Sequence, residues 1–473
     1  MTPINRHLLE DKIRGCIYGS ILGDAMGLAT EFMSKREAHA IYGGDTPLSF
    51  ASIYQDSHRR KWVPGDFTDD TDQHMMVLAS LVSLGKSEGM MLDGVDLGQR
   101  LAKWCESGFL TLSKPSLGVG ATVGSVLTHE DFKEDPFKAA YSVWEKHGCD
   151  LAANGAVMRT GVIGCWAFWD EEVVVRNAVT AARVTHADPR CVFSSVVVCV
   201  LIARMLREAI SDGLPVKPVD AGKQTVAAFP PLKKHNVEQS PRFYLPEDIH
   251  PPAQPTIWSR AAASLPWKPT ESQQWATIFS ALADRMKGAG AITFAKLPDQ
   301  RGPCPQSYVF PPADPQCIAH VRAVVNDYKP LLDMYGPDGP AAKWDADIEL
   351  HCFAPSIDAL ALDDAPARGY TLKCLGGALF CYTRQQLPSQ KDDTNLESKG
   401  SHFKNVMTGL IMEAGDADTN GAVAGALVGC KVGYENLPHD WLDGLKNREW
   451  IGERLNALLE RVFEGLDQGL PSA

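Results

Sequence analysis

The stretch Gly15-Cys16-Ile17-Tyr18-Gly19-Ser20-Ile21-Leu22-Gly23-Asp24-Ala25-Met26-Gly27 repeats glycine at every fourth position. Nearly a whole chain later Gly421, Gly425, Gly429 and Gly433 do the same. Residues four apart share one face of a helix, so each stretch reads as a helix with a smooth ridge. Glycine costs a helix about 1 kcal/mol relative to alanine, and eight in register need a compensating gain. Close approach of two helix backbones supplies one. A membrane helix pair would use the same pattern. However, Arg14 and Asp24 interrupt the first stretch, and neither reaches the roughly 20 apolar residues that a span requires. The expectation is two helices from opposite ends of the chain, paired inside a soluble core.

Each ridge has an acidic companion. Thr68-Asp69-Asp70-Thr71 opens one apolar, helix-like run, and Asp416-Ala417-Asp418-Thr419 opens the run that carries the second set of glycines. A helix N-terminus offsets part of a carboxylate's charge through its dipole and free N–H groups. Four converging carboxylates would still repel. A divalent cation, or a pair, is the usual remedy, and oxygen ligands suit Mg²⁺, Mn²⁺ or Ca²⁺ rather than Zn²⁺. The plainer alternative is two ordinary N-caps, since Thr and Asp are favoured there.

The composition fits a helical, soluble protein. The chain has 473 residues, 45% of them hydrophobic, which is enough for a large core. Long apolar or amphipathic stretches at 78–84, 139–147, 173–184, 192–206, 369–384 and 451–463 favour one extended helical unit over separate domains. The most apolar, 192–206, holds two serines and Arg204, and reads as a buried helix. No charged-then-apolar leader opens the sequence, so an intracellular protein is expected, cytoplasmic with the nucleus as the alternative. A net charge of −12 disfavours nonspecific binding to nucleic acid. Twelve cysteines with no CxxC pair read as reduced, buried thiols.

Proline marks the one break in this pattern. Twenty of the 31 prolines lie between Pro215 and Pro340, and helices cannot run far through such a segment. Only Glu271–Met286 within it reads as helical. Residues 212–345 are therefore expected to be a large insertion in a scaffold that is complete without them, with 387–400 as a second, shorter polar loop.

Five pieces in fixed order resemble the ADP-ribosylglycohydrolases: Gly23-Asp24-Ala25-Met26-Gly27 with Glu31 four residues on, Thr68-Asp69-Asp70-Thr71, Ala153-Asn154-Gly155-Ala156-Val157-Met158-Arg159, Thr185-His186-Ala187-Asp188-Pro189-Arg190, and Gly415-Asp416-Ala417-Asp418-Thr419-Asn420-Gly421. The resemblance spans roughly 10–210 and 345–440. It implies an all-α fold, a compact orthogonal multi-helix bundle as one domain over 1–473, with 212–345 inserted. It further implies a binuclear Mg²⁺ centre, with Mn²⁺ as the alternative, held by Thr68, Asp69, Asp70, Asp416, Asp418 and Thr419, Asp418 bridging the ions. Glu31, Asp69 and Asp418 are the implied catalytic residues, and His186 matches a histidine near the distal ribose.

The residue types admit that chemistry. Releasing ADP-ribose breaks an N- or O-glycosidic bond at C1″ through an oxocarbenium-like transition state, which requires a held diol, a placed water and a proton acceptor or donor. Backbone N–H groups at Gly118, Val119 and Gly120, and at Asn154-Gly155, could cradle the pyrophosphate. Arg159 and Arg190 could neutralise it, although pairing with local acids is the commoner fate of such residues. Two departures from the resemblance, Ala152-Ala153 before Asn154 and Val119 where an aromatic residue is usual, leave adenine stacking and the acceptor open. The expected partner is an ADP-ribosylated protein or small ADP-ribose conjugate, with nucleic acid only as an ADP-ribosylated substrate, no membrane, and a monomer. A non-catalytic, crystallin-like member and a metal-dependent phosphoesterase are the other readings.

Overall fold

The computed structural model describes residues 5–43, 48–84, 90–210, 308–334, 344–386 and 400–469. Its helices in chain order are α1 (Arg6–Gly27), α2 (Lys35–Tyr42), α3 (Asp69–Val82), α4 (Gly94–Ser107), α5 (Ala121–Leu127), α6 (Pro136–Lys146), α7 (Gly161–Cys165), α8 (Glu171–Arg183) and α9 (Pro189–Ile210). After them come α10 (Pro315–Tyr328), α11 (Asp345–Cys352), α12 (Thr371–Tyr382), α13 (Ser401–Ile411), α14 (Ala417–Val432), α15 (His439–Gly444) and α16 (Arg448–Gly469). Among the described residues β structure is limited to three isolated bridges, so the fold is all-α as expected.

The centre of the bundle is the α1/α14 pair. A Cβ placed on Gly15, Gly19 or Gly23 would lie 2.3, 2.3 and 1.9 Å from the carbonyl oxygens of Gly429, Gly425 and Gly421 respectively, and one on Gly27 would lie 2.3 Å from that of Ala417. The backbones touch along the ridge, which is the gain that offsets seven helical glycines; the eighth, Gly433, lies just past the end of α14 with φ +86°. From Gly15 to Gly27 every residue of α1 is buried.

The other helices wrap this pair. All six apolar stretches read from sequence fall on helices, α3, α6, α8, α9, α12 and α16. α9 is the one described helix long and apolar enough to cross a membrane, and 94% of its most apolar window is buried inside the protein, so it is a core helix. The eleven described cysteines are free thiols, nine of them buried.

The 212–345 segment needs a correction. Glu271–Met286 lies outside the described residues, and so does most of 387–400. The described end of the segment, however, is neither irregular nor peripheral. Asp314 caps α10 by accepting from the Gln316 N–H, and Pro315 occupies the first turn, where its missing N–H costs nothing. Val321, Val324, Val325, Tyr328, Leu331 and Leu332 are buried in the main core, and the Tyr328 hydroxyl donates to Glu171 at 2.8 Å. Residues 315–333 are part of the scaffold, so the segment is not wholly separable from it.

Candidate functional site

Asp24 sets the geometry. It sits on the ridge beside Gly23, fully buried, and accepts from the Thr68 N–H (3.1 Å) and hydroxyl (2.8 Å) and from the Thr71 N–H (3.0 Å) and hydroxyl. The start of α3 is thereby tied to α1, while Gly23 packs on Gly421 just inside α14. One helix thus brings the two acidic motifs into register. Asp24 is a structural anchor, its pKa pushed up to about 6 by burial and held down against that by the two threonines.

Around this anchor the predicted residues gather. Thr68 is the N-cap of α3, so the capping reading holds there. Asp416 is the N-cap of α14 but makes no side-chain cap bond; its carboxylate accepts instead from the Asn154 side chain at 2.8 Å. Carboxylate oxygens of Glu31, Asp416 and Asp418 lie within 4.8 Å of one another. One oxygen of Asp70 and one of Asp418 are buried without a hydrogen-bond partner. Burial, reinforced by the neighbouring carboxylates, pushes Asp69, Asp70 and Asp418 well above the usual carboxylate range, and Asp416 to about 6. Thr419, buried like them, is close enough to Asp70 to hold its pKa down against that rise. Buried acceptors lacking donors, on acids that repel one another, are the setting a hard divalent cation would relieve.

The phosphate-loop candidates meet the same centre. Gly118 has φ +90°, and a Cβ there would lie 2.4 Å from an oxygen of Asp69, so only glycine lets the loop close on that carboxylate. Gly120 is the N-cap of α5, and Val119 turns its side chain to the core. On the other side Asp69 accepts from Gln73 at 3.0 Å, Gln73 accepts from Arg159 at 2.7 Å, and Arg159 reaches Thr185 at 2.6 Å. Thr185 accepts from that cation, and its hydroxyl lies 2.8 Å from Nδ1 of His186, whose other ring nitrogen is Nε2. This Nε2 is buried and unpartnered, against Gly155, where a Cβ would lie 3.4 Å from it. Burial, with Arg159 second, lowers the His186 pKa to about 3, so the ring is neutral.

Neither candidate phosphate arginine is free. Arg159 is wholly buried on Gln73, Thr185 and the Ala181 carbonyl. Arg190 pairs with Asp188 and Asp150 and stacks on Trp344. Sequence reasoning missed His58, whose Nε2 lies 2.7 Å from Glu31, and Arg368, whose guanidinium sits 4.6 Å above the Phe32 ring. It also missed the Gln73 to Arg159 link. A chemically ordinary residue in a loop carries no periodic signal, and only Glu31 itself marked the place.

Fold and site together define an all-helical protein with a buried acidic centre at the junction of two glycine-ridged helices. The chain belongs to the ADP-ribosylglycohydrolase family, whose model matches residues 5–284 and 275–469. Among curated proteins it is 29% identical over 195 residues to an uncharacterized protein of Archaeoglobus fulgidus (41% of this chain, 56% of that one). It is 27% identical over 205 residues to the ADP-ribosyl-[dinitrogen reductase] glycohydrolase of Rhodospirillum rubrum (43% and 59%). The ADP-ribosylarginine hydrolase Tri1 of Serratia proteamaculans is 23% identical over 187 residues (39% and 44%). The chain thus spans about half the length of these relatives. A solved structure titled as an ADP-ribosylglycohydrolase-related protein complex aligns over 96% of this chain and 99% of its own with TM-score 0.48 and 19% identity.

Proposed function

We propose that this protein is a hydrolase that releases ADP-ribose from an ADP-ribosylated acceptor by cleaving the glycosidic bond at C1″ of the distal ribose, within one domain. The observation that carries the reading is the convergence of Glu31, Asp416 and Asp418 beside unpartnered, buried oxygens of Asp70 and Asp418. Thr68, Asp69, Asp70, Asp416, Asp418 and Thr419 are the residues that would hold one or two Mg²⁺ or Mn²⁺ ions. When bound, the ions would grip the ribose diol and acidify the attacking water.

The chain's own residues supply the rest. Glu31 takes the proton of the water, or hands one to the leaving atom. Asn154 fixes Asp416, and Gln73, braced by buried Arg159, fixes Asp69, so neither carboxylate has to reorganise as charge develops. The Gly118–Gly120 loop and Gly155 offer backbone N–H groups to the pyrophosphate, whereas the Asn154 N–H is already given to the Gly369 carbonyl at 3.0 Å, and the unpartnered His186 Nε2 offers a polar contact to a ribose hydroxyl.

A panel of substrates ADP-ribosylated on arginine, on serine, on a nucleic-acid end and as a small ester, scored for free ADP-ribose, tests the reading. Release of ADP-ribose from one of them supports it. Release of AMP instead would mark a phosphoesterase, and tight ADP-ribose binding without turnover a binding member.

A further inference from the structure

His58, a residue outside the set predicted from sequence, meets the carboxylate of Glu31. Its Nε2 lies 2.7 Å from Glu31 Oε2. An ionised carboxylate can only accept, so the imidazole donates from Nε2–H.

The ring is held by two aromatic neighbours and a fixed turn. Asp56 accepts from the backbone N–H groups of His58 (2.9 Å) and Arg59 (2.8 Å), fixing the turn. The imidazole lies between Phe32, with ring centroids 5.0 Å apart, and Trp62, at 5.2 Å. Buried Arg59 donates to the carbonyl oxygens of Ala29 (2.8 Å) and Glu31. The 56–62 loop therefore clamps both the backbone and the side chain of the segment bearing Glu31. That segment is also strained: Phe32, the next residue, has φ +61° and is 48% exposed, a conformation that is unfavourable for a non-glycine residue and persists only where its surroundings impose it.

We infer that His58 is a positioning residue for Glu31: it engages one carboxylate oxygen and so fixes the orientation of the carboxylate beside Asp416 and Asp418. The inference rests on the proposed role of Glu31. It goes beyond that role in assigning a part of the machinery to a loop outside every motif of the family resemblance. Because His58 acts through Glu31, its removal changes the rate of the chemical step and leaves the binding of metal and of ADP-ribose alone.

Five proteins decide it: wild type, His58→Ala, His58→Gln, Glu31→Gln and the double variant Glu31→Gln/His58→Ala. His58→Ala is expected to lower kcat about 10-fold or more with KM unchanged. His58→Gln, which keeps a donor, recovers most of that loss, and the double variant is no slower than Glu31→Gln alone, because two residues acting as a unit are non-additive. Calorimetric binding of Mg²⁺ and of ADP-ribose is expected to be the same in all of them. The nitrogen-15 spectrum of wild type is expected to show a protonated His58 Nε2, whose signal shifts in Glu31→Gln.

Normal kcat in His58→Ala, losses that multiply in the double variant, or a change confined to KM or to Mg²⁺ affinity would overturn the inference. If Glu31→Gln turns over normally while the nitrogen-15 signal still reports the pair, the functional reading of Glu31 fails and the contact is only structural.

Discussion

Gly23 and Gly421 meet backbone to backbone: a Cβ on the first would stand 1.9 Å from the carbonyl oxygen of the second, and one on the second 2.2 Å from that of the first. The contact joins the two halves of the candidate site, because Asp24 holds Thr68 and Thr71 on one side of it and Asp416 to Thr419 lead into Gly421 on the other.

Gly23→Ala should therefore act on stability and site together. The obstruction is backbone on both sides and has no flexible end to give way, so a loss of about 3 kcal/mol is expected, at the upper end for overpacking. Gly452→Ala on α16 is the control. Its Cβ meets only the Tyr18 hydroxyl at 3.5 Å, so a neutral effect or a gain of up to about 1 kcal/mol follows from helix propensity. Urea titrations of the two variants check this. Equal stability in both would mean that α1 and α14 are not packed as closely as described.

Glu31→Gln keeps the size of the side chain and its contact with His58 but removes the base. A fall in kcat of about 10²-fold is expected, the ordinary contribution of general acid–base catalysis, while ADP-ribose binding by calorimetry stays near wild type. Turnover close to wild type would take Glu31 out of the chemistry.

His402 gives a pH prediction away from the site. It is buried on α13, with neither ring nitrogen partnered, and burial, with Lys431 second, lowers its pKa to about 4. The unfolded chain titrates it near the reference value of about 6.5. Between those values the unfolded state binds more protons. Its contribution is therefore fully present above pH 6.5 and is lost as pH falls toward 4. His402→Phe should remove that dependence, up to about 3 kcal/mol by the linkage relation. The difference between variant and wild type at pH 7 and pH 4.5 is the measurement, since His74 and His186 are lowered in the same way.

What could be read in advance follows from periodicity. Glycine every fourth residue has one explanation in a soluble helix, and the α1/α14 pair is that explanation. The acidic motifs showed themselves because each opens a helix, although their partners did not. Gln73 and Arg159 resemble surface residues until burial joins them to Asp69, and His58 lies in an aperiodic loop. α10 was hidden by the prolines around it, yet Asp314-Pro315, a cap followed by a first-turn proline, was the legible sign of its start.

The metal reading gives the last prediction, and its sign is fixed by the crowded carboxylates. In the metal-free protein burial raises Asp416 to about 6, whereas the unfolded chain ionises it near 3.8. The folded state therefore binds more protons in that window, so metal-free stability falls as pH rises through it and stays low above 6. Asp69, Asp70 and Asp418 shift in the same direction. Mg²⁺ at about 100 times its Kd should restore about 2.7 kcal/mol near pH 7.5 and much less at pH 5, where protons already neutralise the cluster. Chelation should remove the increment and the activity together. Asp418→Asn should abolish both more completely than Asp69→Asn, because Asp418 converges with Glu31 and Asp416 and keeps a buried oxygen without a partner, whereas Gln73 already occupies one oxygen of Asp69. Thermal melts at the two pH values, with and without EDTA and alongside ADP-ribose release, make the comparison. Full activity in excess EDTA with an unchanged Tm would end the metal reading and the mechanism that depends on it.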